Sequence, residues 1–246
     1  MKAEPARQLR LLDLQAIDTR LDQLAHARAR LPQLAELADL EGKARLLDDQ
    51  LVRSRTELGD VQREVAKSEA DVQLVRDRAA RDRARLDAGT GTAKDLQAIQ
   101  HELTSLARRQ SELEDIELEV MERAEAAEHD VAELERGRAE LAERMGALEA
   151  ARDAELARLD AEVEQVGGPR PSVVAEVGED LVALYEKIRA TSGGSGAAPL
   201  RQRRCGGCQL ELNPVEIQRL RVAEEDEVLR CEECRRILVR TPESGL

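Results

Sequence analysis

From Leu96 to Val166 one spacing repeats along the chain. Apolar residues recur at alternating intervals of three and four, through Ile99, Leu103, Leu106, Leu113, Val120, Val131, Leu134, Leu141, Leu148 and Leu159, with charged residues between them. A stripe that narrow buries against one partner helix rather than into a broad core. An earlier stripe has the same character: Leu40, Ala44, Leu47, Leu51, Leu58, Val61, Val65, Val72, Val75 and Leu86, with Ser54, Ser68 and Asp82 in register. Further upstream, Leu14, Ile17, Leu21, Leu24 and Leu31 form a third run that is out of phase with the second, and Pro32 sits at the slip. Proline removes a helical hydrogen bond and clashes with the preceding turn, so a kink or break is expected near residues 31–34.

The residues available for a core agree with this. The chain has no Phe or Trp, and Tyr185 is its only aromatic residue. Aromatic side chains supply much of the buried area of globular cores, so one compact domain of 246 residues is a poor expectation. A charged content of 36% points instead to long helices.

Between the two long stripes lies Ala88-Gly89-Thr90-Gly91-Thr92. Two glycines permit a sharp reversal. Thr92 followed three residues later by Asp95 is a capping-box pattern, with an acid at the positive end of the next helix. At about 1.5 Å per residue that helix would be on the order of 110 Å long. The predicted fold class is therefore mostly α: a long antiparallel coiled-coil hairpin over residues 1–166, with its tip near 86–96. Gly167-Gly168-Pro169-Arg170-Pro171 should end it. A linker over 167–199 is expected to carry a short helix at about 174–191 and then a Ser192–Gly196 joint or turn.

All four cysteines lie in the remaining residues 200–246: Cys205-Gly206-Gly207-Cys208, a 22-residue spacer, and Cys231-Glu232-Glu233-Cys234. Two C-x-x-C turns can aim four thiolates at one tetrahedral metal ion, usually Zn²⁺. Four protein sulfurs leave no position open for substrate, so the expected cofactor is one structural zinc ion. A redox dithiol is the alternative, but it would need a separate explanation for each pair; rubredoxin-type iron fits less well with so few aromatic residues. The module is too small to bury enough surface unaided. Zinc would supply roughly 10 kcal/mol, so chelation is expected to unfold residues 200–246 and leave the long helices formed. Gln209–Leu212 and Ile237–Arg240 are the strand candidates.

Three stretches resemble a bacterial family of coiled-coil hairpin proteins with a C-terminal C4-type zinc ribbon. They are Thr92–Leu103 continuing to Leu113–Asp115, Leu184–Arg189, and the tail that pairs Cys205–Cys208 with Cys231–Leu238. The resemblance covers essentially the whole chain, and the tail is its most specific part. The family usually has glycine directly after the last cysteine, where this chain has Arg235. If that position is left-handed, arginine costs roughly 1 kcal/mol. The resemblance implies a non-enzymatic protein. Some members act in flagellar biogenesis as adaptors for an alternative sigma factor, export components and flagellin messenger RNA. Many others have no assigned role, so the fold carries over and the flagellar role does not.

No catalytic constellation is legible. His101-Glu102 would open an H-E-x-x-H site, but the last position is Ser105. Gly89–Thr92 lacks the lysine of a phosphate loop. The net charge of −13 lies in residues 1–198, because residues 199–246 hold nine Arg and nine Asp or Glu. Such a chain should not adhere generally to polyanions such as nucleic acids or anionic membranes. The first residues lack the apolar core of a signal peptide, no stretch is long enough to span a bilayer, and paired C-x-x-C motifs suit a reducing compartment, so a cytoplasmic location is expected. No small-molecule substrate is implied.

Two surfaces remain as candidates for partner binding. Arg76, Arg78, Arg81, Arg83 and Arg85 with Lys94 make the hairpin tip locally basic; of these Arg81, Arg85 and Lys94 are the proposed contacts. The other candidates are Arg203, Arg204 and Arg236 around the cysteines. The expected function is a non-enzymatic adaptor or chaperone-like scaffold binding protein partners, in transcriptional or post-transcriptional regulation. The alternative is a regulator that binds RNA or DNA through the ribbon. Six nearby acids and the lack of aromatic stacking platforms count against the alternative. The oligomeric state is open, since an exposed seam could pair two hairpins.

Overall fold

The computed structural model describes residues 1–246. Its elements are α1 (Pro5–Ala29), α2 (Pro32–Asp87), α3 (Ala93–Gly167), α4 (Arg170–Val177), α5 (Glu179–Thr191), β1 (Ala197–Arg201), β2 (Arg204–Cys205), α6 (Pro214–Val222), β3 (Leu229–Arg230) and β4 (Ile237–Val239). They group into two compact units. One joins Met1–Leu34 to Ala150–Leu246, and the other is Ala35–Glu149.

The Ala35–Glu149 unit is the antiparallel hairpin. Ion pairs between its helices run in opposite sequence order: Asp48 with Arg138, Arg55 with Glu135, Glu64 with Arg123, and Arg76 with Glu114. The buried positions of α2 in this unit are Leu37, Leu40, Ala44, Leu51, Val61, Ser68 and Val72; all but Leu37 belong to the expected stripe, Ser68 included. At the tip, Gly89 and Gly91 have φ of 62° and 138°. Thr92 and Asp95 then cap α3 reciprocally. The Asp95 N–H donates to Thr92 Oγ1 at 3.2 Å, and the Thr92 N–H donates to Asp95 Oδ2 at 2.9 Å. The Thr92 hydroxyl also donates to Asp95 Oδ2 at 2.7 Å, and this bond, then the Thr92 N–H, holds the Asp95 carboxyl below its ordinary range.

The helix break falls at Arg30–Leu31, and Pro32 opens α2. A proline in the first turn of a helix sacrifices no hydrogen bond, because that N–H has no partner there anyway. On the other side of the break, Leu24 and Leu31 pack on Leu159, flanked by Leu156, Val163 and Val166.

The ribbon-bearing unit departs most from expectation. Residues 167–199 are not a linker. Where one helix at about 174–191 is expected, the chain forms α4 and α5, divided at Gly178, whose φ is 86°. The long helix α3 does end at Gly167, but the prolines do not prevent a new helix: Pro169 is the N-cap of α4 and Pro171 lies in its first turn. Val173, Val177, Leu181, Tyr185 and Ile188 form a core with Leu11 and Leu14 of α1 and with Ala197, Ile237 and Val239 of the sheet. The first turns of α1 thus pack against α4, α5, β1 and β4, although their apolar spacing reads as coiled coil. Buried Asp18 ties this layer together: it accepts hydrogen bonds from Tyr185 Oη at 2.8 Å and Arg170 Nε at 2.7 Å. Burial, then the bond to Asp18, raises the Tyr185 hydroxyl well above its ordinary range.

The four strands are ordered β2-β1-β4-β3. β1 and β4 run parallel, pairing Ala197 with Ile237, Ala198 with Leu238 and Pro199 with Val239; the outer pairs are antiparallel. Of the two strand candidates, Ile237–Arg240 contains β4. Gln209–Leu212 is not a strand and contributes a single bridge, Arg204 to Glu211, because Gln209 adopts φ 65°.

Candidate metal centre

The two knuckles are built alike. In the first, the Gln209 N–H donates to the Cys205 carbonyl at 2.8 Å and the Cys205 N–H to the Leu210 carbonyl at 3.0 Å. In the second, Arg235 N–H donates to the Cys231 carbonyl at 3.0 Å and Cys231 N–H to the Arg236 carbonyl at 3.1 Å. The residue after each second cysteine is left-handed, with φ of 65° at Gln209 and 61° at Arg235. Arg235 therefore occupies a conformation that favours glycine, at a cost of about 1 kcal/mol.

These turns bring four sulfurs together. All lie within 4.8 Å of one another. Cys205 Sγ is 3.7 Å from Cys234 Sγ, and Cys208 Sγ is 3.9 Å from Cys231 Sγ. Sulfurs at about 2.3 Å around a tetrahedral zinc ion would be about 3.8 Å apart, so the spacing fits that ion. It is far from the roughly 2.05 Å of a disulfide. Cys205 and Cys231 are buried, while Cys208 and Cys234 are half-buried.

Electrostatics divide the thiols. Burial pushes the Cys205 thiol up, against hydrogen bonds from the Cys208 and Gly207 backbone. Burial likewise pushes Cys231 up, against the Cys234 and Glu233 backbone. At Cys234 burial also acts upward, but hydrogen bonds from the backbone and side chain of Arg236 and from Cys205 and Cys231 outweigh it, bringing the thiol to about 7. Amides that stabilise thiolates are what a tetrathiolate site requires, since its net charge with a divalent ion is still negative.

Helix α6 supports the second knuckle, and the sequence reading missed it. Asn213 Oδ1 caps it by accepting from the Glu216 N–H at 2.8 Å, and Pro214 follows in the first turn. Buried Glu216 then accepts from the Glu232 N–H at 3.1 Å, inside the C-E-E-C turn. The signal was Asn-Pro-Val-Glu, an N-cap followed by a first-turn proline and an acid.

The candidate partner contacts separate by what they touch. Arg236 donates to the carbonyls of Ser195 at 3.1 Å and Ser192 at 2.8 Å. Arg203 donates to the Gly245 carbonyl at 3.0 Å, and Arg204 lies 3.7 Å from Glu211. The ribbon arginines are thus engaged within their own unit. At the tip, Arg76 and Arg78 pair with Glu114 and Glu102 across the seam, and Arg85 lies 3.8 Å from Asp82. Arg81, Arg83 and Lys94 are exposed and form no ion pair.

Hairpin and tetracysteine site together define a class: coiled-coil hairpin proteins ending in a C4 zinc ribbon. The chain belongs to the CT398-like coiled coil hairpin domain family, which it matches over residues 14–193, and residues 204–238 match the C4-type zinc ribbon domain. An uncharacterized protein of Mycobacterium tuberculosis is 38% identical over 240 residues, 98% of each chain. One from Mycobacterium leprae is 33% identical over 237 residues, 93% of this chain and 94% of that one. A solved Mycobacterium smegmatis structure superposes with a TM-score of 0.84 at 40% identity, covering 98% of this chain and 100% of that one. CT398 from Chlamydia trachomatis superposes at 0.66 with 18% identity, over 96% and 98% of the two chains, which shows a shared fold. No helix is long and apolar enough to cross a membrane.

Proposed function

We propose that this protein is a non-enzymatic adaptor or chaperone-like scaffold, cytoplasmic, with one structural Zn²⁺ held by Cys205, Cys208, Cys231 and Cys234. The observation that carries this reading is the sulfur cluster, all four atoms within 4.8 Å of one another. Four thiolates complete a tetrahedral zinc shell, so the ion shapes a surface and offers no site to a reactant. The exposed, unpaired Arg81, Arg83 and Lys94 support the tip as a contact for an acidic protein segment. The engaged ribbon arginines weigh against phosphate binding there.

Affinity purification from the native cell tests the reading. The bait is the full chain, compared with a tip variant (Arg81→Glu, Arg83→Glu, Lys94→Glu) and with Cys231→Ser. Each variant is expected to lose a distinct set of protein partners. Unchanged partner sets in both would refute the adaptor reading. Loss of all partners on nuclease treatment, with RNA or DNA binding that falls steeply with salt, would replace it with nucleic-acid recognition.

A further inference from the structure

β1 and β4 form a wall with two occupied faces. Successive side chains of a strand point to opposite sides. On one side Ala197, Ile237 and Val239 enter the helical core with Leu11, Leu14, Leu181 and Tyr185. On the other side Ala198, Leu200 and Leu238 pack with Cys205, Cys231, Leu212 and Leu220. The same five-residue strand and the same three-residue strand therefore line the metal knuckles and the helical layer.

Hydrogen bonds cross the wall as well. Gln15 on α1 accepts from the Gly196 N–H at 2.7 Å and the Ala197 N–H at 3.2 Å, at the entry to β1. The Gly206 N–H, inside the first knuckle, donates to the Pro199 carbonyl at 2.9 Å. Arg236, two residues after the last cysteine, holds the carbonyls that end α5 and lead into β1. Without the knuckles neither strand has the length to persist. Without the strands, α4 and α5, of 8 and 13 residues, are too short to be stable alone.

We propose that metal occupancy acts as a fold switch reaching past the ribbon. Loss of the ion releases α1, α4 and α5 from the β1–β4 wall, exposing the apolar face around Leu11, Leu14 and Tyr185, and leaves the Ala35–Glu149 hairpin formed. This extends the expectation that chelation unfolds residues 200–246 alone.

Hydrogen–deuterium exchange on the full chain, read peptide by peptide, tests it. Metal content is measured first; absence of bound zinc in protein purified from zinc-supplemented cells overturns the proposal at once. Treatment with a chelator should then raise exchange roughly tenfold or more in residues 8–24 and 173–191 together with residues 197–239, with residues 40–145 unchanged. Deprotection confined to residues 197–239 overturns it, as does deprotection of the whole chain. Linkage supplies a second readout, because coupling between two sites is reciprocal. Leu14→Ala, which touches no cysteine, should weaken zinc affinity by roughly fivefold or more in competition with a chromophoric chelator. Unchanged affinity in a variant whose α1 exchange has risen overturns the proposal.

Discussion

In the ribbon-bearing unit, Leu11, Leu14, Val177, Leu181, Tyr185, Ile237 and Val239 are all fully shielded from solvent. Along residues 93–149 of α3, only Leu106, Leu113 and Val131 are buried. The first unit surrounds each core side chain with several short elements. The second lays one narrow seam along two helices and covers its flanks with ion pairs. Stability should therefore be concentrated in the first, where single atoms matter, and spread thinly through the second, where no residue is decisive.

Substitutions can break or sharpen that contrast. The largest effect is expected for Cys231→Ser, which removes one of four clustered sulfurs from a site where a zinc ion would supply roughly 10 kcal/mol or more to folding. Metal analysis should show little bound zinc, and the ribbon resonances should collapse; a metal-free variant with an ordered ribbon would erase the contrast. Next comes Asp18→Ala. It leaves the buried Tyr185 hydroxyl without its charged acceptor, at a cost of about 3 kcal/mol, while Arg170 keeps its second carboxylate, Glu186. Local exchange stability in α1 and α5 should fall by that order while the hairpin is untouched.

Leu113→Ala tests the other unit. It should cost about 2 kcal/mol, the low end for a buried leucine, because the thin seam can close around the gap. A loss as large as that at Asp18 would show that the hairpin too has a decisive point. Thr92→Ala should cost about 1 kcal/mol through the lost cap. The sign with pH is fixed by Asp95, whose carboxyl is held down by the Thr92 hydroxyl and then its backbone N–H. That contribution is present above the ordinary aspartate range near about 3.9, and disappears as pH falls through the lowered value. The acid-side loss of tip protection, followed by exchange, should shrink in the variant, which keeps only the backbone N–H bond to Asp95. Smallest is Arg55→Ala. Its exposed pair with Glu135 is worth less than about 1 kcal/mol, and its removal should leave the melting curve unchanged within error.

Much of the hairpin was legible in the sequence because it depends on local rules. The seam from Leu40 to Val72 follows from spacing, the turn from Gly89 and Gly91, and the α3 start from Thr92 and Asp95. The four cysteines likewise converge as their spacing predicts. What was not legible depends on partners distant in sequence. Leu11 and Leu14 carry the same periodicity as Leu24, yet only the latter faces α3. Periodicity reports that a face is buried and says nothing of what buries it. Ala197–Arg201 has no alternating pattern of its own and becomes a strand through its parallel pairing with Ile237–Val239. α6 is different: its start is a local signal, Asn213 at the N-cap followed by Pro214 in the first turn.

The bond from Ala197 to Gln15 joins residues 182 apart in sequence. A ribosome adding about 5–20 residues per second needs on the order of ten to forty seconds to cover that interval. Throughout it, the oily side of the first helix has been synthesised and its wall has not. The nascent chain must keep Leu11 and Leu14 out of wrong associations until its final strands emerge, and translation speed or a holding chaperone should govern the yield of correctly assembled protein.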